Sequence, residues 1–123
     1  GQNLAAGGLQ HIPSLLRLKE FWEEAGHSVI AMAGVDSLEG AVASGRGAEP
    51  GTITTFDLNE IDVVFMDHYF LSRRFTGATL TQELLRQGQP RVLGMSSDSS
   101  ANAAMVRYGA VAAIRKADLL RQI

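Results

Sequence analysis

Short β-rich runs alternate with helical patterns along almost the whole chain, and this alternation restricts the fold more than any other feature. The runs are His27 to Ala33 (HSVIAMA), Asp62 to Asp67 (DVVFMD), Arg91 to Ser96 (RVLGMS) and Ala110 to Arg115 (AVAAIR). Each is short and bounded by Gly, Pro or polar residues, as buried strands are. Their near-continuous apolar character, without strict alternation, points to a sheet covered on both faces. Strands that alternate with helices predict an α/β fold around a parallel sheet.

The helical segments carry their own punctuation. Pro13 suits a first helical turn, Leu15, Leu18 and Trp22 recur at helical spacing, and Gly26 closes that helix. Asp36 with Glu39 predicts the N-terminus of a short second helix. Thr79 to Gln87 predicts a third, ended by Gly88 and Pro90, and Ser99 to Tyr108 a fourth, ended by Gly109. Ala117 to Ile123 begins a fifth. The first strand falls on Asn3 to Leu9 (NLAAGGL), whose two glycines and lack of β-branched residues make it a poor strand by composition. Gly45 to Glu60 (GRGAEPGTITTFDLNE) reads as a long surface loop.

Composition excludes several classes of function. Cysteine is absent, which removes disulfides and thiolate metal sites. The formal net charge is -2. Lys and Arg are scattered, so no direct nucleic-acid footprint is expected. The longest apolar run, Val29 to Val35, is far short of the roughly 20 residues that span a bilayer. Neither a membrane span nor a signal peptide is expected, and a reducing, cytoplasmic setting is. At 123 residues with 46% hydrophobic content, positions 1–123 read as one domain able to bury a core.

Working sites of open parallel sheets lie at the carboxyl ends of the strands. Asp67 ends the most hydrophobic strand, Ser96 ends the next, and Lys116 follows the last. Alone, each has an ordinary reading: a loop cap, a turn former, a solvated surface charge. Their joint placement on one rim gives a carboxylate that can attack phosphorus, with a hydroxyl and an ammonium to hold phosphoryl oxygens.

At these residues the chain resembles the receiver domain of response regulators. Asp67 matches the phosphoacceptor, and Gly77 with Leu80 and Leu84–Leu85 matches the G..L...LR helix start. Ser96 matches the family's hydroxyl, and Gly109–Ala110 followed by Lys116 matches the GA......K ending. Upstream, Ile12 to Ala31 resembles the first helix and second strand, with the E.AGH.V turn. The resemblance implies a doubly wound, flavodoxin-like sheet of five parallel strands in the order 2-1-3-4-5. It also implies a signalling module rather than an enzyme. Its partners would be a histidine kinase or phosphotransfer protein on one side, and an output domain or partner protein on the other.

The departures from the family are specific. Its acidic pair, which holds a divalent cation, falls here on Gln10 and His11. A hard cation such as Mg²⁺ prefers carboxylate oxygens, so Asp67 is left as the one acidic ligand and metal binding is expected to be weak or absent. Asp98, two residues past Ser96, is a partial substitute or a helix cap. With the acidic pair gone, an ion pair between Lys116 and Asp67 is expected. The loop after Asp67 lacks the usual Met-Pro and is longer. Ala117 replaces the usual Pro after Lys116, and Ala113 replaces the aromatic switch residue, so the hydroxyl-to-aromatic coupling is missing or is served by another residue such as Tyr108 or Tyr69. His11, His27 and His68 are too dispersed for a metal site, and Gly7–Gly8 lacks the rest of a phosphate loop. Arg73–Arg74 read as solvated surface. Two alternatives to the phosphorelay follow: a pseudo-receiver that binds proteins without phosphorylation, and, last, a small flavodoxin-like enzyme or cofactor binder.

Overall fold

The computed structural model describes residues 1–7, 12–68, 72, 74–88 and 91–121. Its centre is a five-stranded parallel sheet built from β1 (Asn3–Gly7), β2 (Ser28–Met32), β6 (Val63–Met66), β7 (Val92–Gly94) and β8 (Ala112–Ala113). The order is β2-β1-β6-β7-β8, so the parallel strands, counted along the chain, run 2-1-3-4-5 as predicted. β1 lies between β2 and β6 despite its weak composition, because it is hydrogen-bonded on both sides. Tertiary pairing overrides local propensity there.

Strand pleating divides the core between two faces. Leu4, Ala6, Val29 and Ala31 point to one face, where α1 (Ile12–Glu24) packs through Leu15, Leu18 and Trp22. Trp22 stacks on Phe65, ring centroids 4.4 Å apart. Ala5, Val64, Met66 and Val92 point to the other face, under Leu80 and Leu84 of α2 (Gly77–Arg86) and Met105 of α3 (Ser99–Arg107). Gly26, Gly88 and Gly109 follow α1, α2 and α3 as predicted, with φ of 96°, 88° and 123°, in the left-handed region that glycine favours.

The segment between β2 and β6 departs from expectation. Asp36 and Glu39 do not start a helix, and Gly45 to Glu60 is not a loop. Instead β3 (Ser37–Glu39), β4 (Val42–Arg46) and β5 (Ile53–Asp57) form an antiparallel three-stranded sheet, followed by a 3₁₀ turn at Leu58–Glu60. The two-residue turn Gly40–Ala41 folds β3 onto β4, a connection made for a hairpin and hostile to a helix. The β-branched run Thr52 to Thr55 supplies β5. This sheet and its 3₁₀ turn bury Leu38, Ala43, Phe56 and Leu58 in the α2–α3 face of the core, where a crossover helix was expected.

Smaller differences shift boundaries only. α2 starts at Gly77, two residues before Thr79, because Thr76 and Thr79 form a reciprocal capping box. β8 shrinks to an exposed two-residue edge, and α4 (Lys116–Leu120) begins at Lys116 itself. Among the described residues, no helix is long and apolar enough to cross a membrane.

Candidate functional site

Backbone ladders carry each strand past its formal end and set the rim of the sheet. Asp67 N–H donates to Gly7 O at 2.9 Å, Met95 N–H to Met66 O at 2.8 Å, and Ile114 N–H to Gly94 O at 2.9 Å. The residues that follow on β6, β7 and β8 are therefore neighbours on one edge. Lys116 N–H reaches Ser96 O at 3.4 Å, closing that edge.

Two of the three side chains predicted for the site pair directly, and the third lies on the neighbouring strand end. Lys116 Nζ stands 2.5 Å from Asp67 Oδ2. Asp67, Ser96 and Lys116 are 2%, 1% and 7% exposed, so all three are withdrawn from water. A buried carboxylate needs a partner, since burial of a lone charge is strongly unfavourable. Ser96 Oγ accepts the Asp98 N–H at 3.1 Å, which leaves the hydroxyl hydrogen to be donated elsewhere. The start of α2 packs directly against the acidic strand end: Gly77 N–H donates to His68 O at 2.9 Å.

The other candidates are placed as follows. Asp98 is the N-cap of α3, its carboxylate accepting from Ser100 N–H at 2.8 Å. It is thus the cap of the fourth predicted helix. Asp98→Ala is expected to cost about 1 kcal/mol of stability, read by urea denaturation, through loss of that cap. Gln10, His11, Tyr69 and Arg73 lie outside the described residues. Tyr108 is the C-cap of α3, nine residues of helix and about 14 Å of rise from Asp98, so it stands at the end of the helix remote from Ser96. Ala113 lies exposed in β8. Arg74 is exposed, its guanidinium 5.1 Å from the centre of the Phe75 ring. His27 Nδ1 accepts the Gln2 N–H at 3.1 Å and ties β1 to β2.

The two positions matched to the acidic pair, Gln10 and His11, lie outside the described residues. Among the described residues, no group of three or more His, Cys, Asp or Glu converges in a way that could hold a metal. Asp67 Oδ2 faces the Lys116 ammonium.

Sequence reasoning missed Asn102. It sits in α3, 7% exposed, on the core-facing side with Met105. Its side-chain Oδ1 accepts the Ser96 N–H at 2.9 Å, and its Nδ2 donates to Ser96 O at 3.0 Å and to Ile114 O at 3.4 Å. The available signal was its register: Asn102 shares the apolar stripe of the helix with Met105 at i+3, where a polar side chain survives only if satisfied.

No sequence-family profile and no curated protein matches the chain. Solved structures do match over nearly its whole length. The response regulator TrrA of Thermotoga maritima, in complex with Mg²⁺-BeF, superposes with a TM-score of 0.64 at 12% identity, over 99% of this chain and 95% of that one. The receiver domain of a sensor histidine kinase from Pseudomonas aeruginosa, with a magnesium ion coordinated in its active-site cleft, gives 0.63 at 12% identity, over 99% and 93%. A response regulator from Burkholderia pseudomallei, with a phosphorylated aspartic acid, gives 0.63 at 17% identity, over 94% and 60%. The chain has the flavodoxin-like fold of response-regulator receiver domains.

Proposed function

We infer that the chain is a receiver domain of a two-component phosphorelay, in which Asp67 accepts a phosphoryl group and the repacked rim changes a contact with a partner protein. The observation that carries this reading is the meeting of the Asp67 carboxylate with Lys116, beside Ser96, on one rim of a receiver fold. In the step proposed, a carboxylate oxygen of Asp67 attacks phosphorus. The donor's P–N bond, if the donor is a phosphohistidine, breaks in line, and imidazole leaves with the electron pair. The Lys116 ammonium and the Ser96 hydroxyl hold the phosphoryl oxygens, whose charge would otherwise resist transfer. The donor would be a histidine kinase or a phosphotransfer protein, the recipient of the signal an output domain or separate partner.

One observation favours a second reading, a pseudo-receiver that binds proteins without phosphorylation. Asp67 is shut from solvent and its Oδ2 is engaged by Lys116, so an incoming phosphoryl group meets a carboxylate already paired and withdrawn from water. Loss of the acidic pair at Gln10 and His11 points the same way.

Intact-mass spectrometry after acetyl phosphate treatment, with and without Mg²⁺, separates the two. The native chain is expected to gain one phosphoryl group slowly, Asp67→Asn none, and the double variant Gln10→Asp with His11→Asp to gain it faster and with Mg²⁺ dependence. A native chain that never reacts, beside a double variant that does, establishes the pseudo-receiver. If neither reacts, Asp67 is not a phosphoacceptor.

A further inference from the structure

We propose that Asn102 is a positioning residue of the Asp67 site, fixing the Ser96 hydroxyl and the Lys116 ammonium in one frame through its side-chain amide. The inference deepens the phosphoacceptor reading of Asp67 and rests on it for its consequence.

The amide group of Asn102 reproduces half of a β-ladder. Its oxygen accepts from the Ser96 N–H and its nitrogen donates to the Ser96 carbonyl, at 2.9 and 3.0 Å, so the Ser96 peptide units are held from both sides. The second N–H reaches Ile114 O at 3.4 Å, two residues before Lys116. One buried side chain on α3 thus ties the end of β7 to the segment that delivers the lysine. The orientation of the amide is fixed by these partners. Turned over, its nitrogen would face the Ser96 N–H and its oxygen would face two carbonyls.

Geometry makes this tie necessary. β8 is two residues long and its ladder to β7 spans only Leu93↔Ala112 and Gly94↔Ala113. Beyond it, Ile114 N–H still donates to Gly94 O at 2.9 Å, and the Lys116 backbone itself reaches the rim only through the long bond to Ser96 O at 3.4 Å. Arg115, the N-cap of α4, makes no side-chain capping bond. The lysine arm leaves the sheet at Ile114, and there Asn102 adds a bond from a helix packed into the core through Met105. Groups that hold phosphoryl oxygens act only when kept in position, and supporting residues that do so affect binding through the groups they hold.

The test measures beryllofluoride uptake, with magnesium present, by ¹⁹F NMR in the native chain, Asn102→Ala, Asn102→Asp and Ala101→Gly. Ala101→Gly weakens the same helix without touching Ser96, so it controls for loss of stability alone. Asn102→Asp keeps the shape and the acceptor but loses both donors, and it serves if the alanine variant does not fold. Beryllofluoride affinity is expected to fall by about tenfold or more in both Asn102 variants and to change little in Ala101→Gly. A second readout needs no phosphoryl mimic: the Lys116 ammonium resonance, slowed in exchange by its buried pair with Asp67, is expected to broaden or vanish in the Asn102 variants alone. The positioning role is overturned if the Asn102 variants match Ala101→Gly in affinity or the native chain in the ammonium resonance. A native chain that takes up no beryllofluoride overturns the phosphoacceptor reading instead, and the ammonium resonance still decides the role of Asn102.

Discussion

Replacing Lys116 with methionine is expected to destabilise the fold by about 3–5 kcal/mol, because it takes the counter-charge from a buried carboxylate. Asp67 is 2% exposed and its Oδ2 lies 2.5 Å from the Lys116 ammonium. Methionine keeps most of the bulk of lysine, so little of the loss comes from a cavity. The cost is electrostatic, and it should disappear when the carboxylate is removed as well. The double variant Asp67→Asn with Lys116→Met is expected to recover more than half of the lost stability. Urea denaturation at constant slope measures both. A double variant that loses the sum of what Lys116→Met and Asp67→Asn lose separately would show that the two side chains are not energetically coupled.

Gly77→Ala is expected to cost about 1–3 kcal/mol, although alanine is the better helix former. Intrinsic propensity alone would favour the change by about 1 kcal/mol. A Cβ at position 77, however, would lie 2.5 Å from Asp67 O and 2.5 Å from His68 Cα. Both obstacles are backbone, so neither can rotate away. The start of α2 must retreat, stretching the Gly77 N–H bond to His68 O and disturbing the strand end that presents Asp67. The clash outweighs the propensity gain, and thermal unfolding reads the difference. A variant as stable as the native chain would mean that the helix start has room that the geometry denies.

Parts of this fold are legible because their signal is physical and local. VVFM, flanked by polar residues, can do little but form a buried strand, and Asp67, Ser96 and Lys116 are found by counting from strand ends. The three-stranded sheet was missed because Gly45, Gly47, Pro50 and Gly51 look like loop punctuation, although Thr52 to Thr55 carries a strand signal between them. Leu38, Ala41 and Val42 sit at helical spacing, yet the tight turn at Gly40–Ala41 decides the matter in favour of a hairpin. β1 was legible only as a requirement: its alanines and glycine have no strand preference, and two neighbouring ladders hold it in place. Asn102 lies in a run of Ser and Ala that reads as surface, and only its register with Met105 marks it. Its role comes from bonds to a residue six positions back and another twelve positions ahead.

Chemical trapping tests the central claim most directly. The native chain is incubated with acetyl phosphate and Mg²⁺, reduced with borohydride, digested and sequenced by tandem mass spectrometry. Borohydride converts an aspartyl phosphate to homoserine and leaves free carboxylates unchanged. The expected result is homoserine at position 67, absent without the phosphoryl donor and strongly reduced in Lys116→Met. Aspartate intact at position 67 under every condition, or homoserine at another acidic residue, would contradict the assignment of Asp67 as the phosphoacceptor.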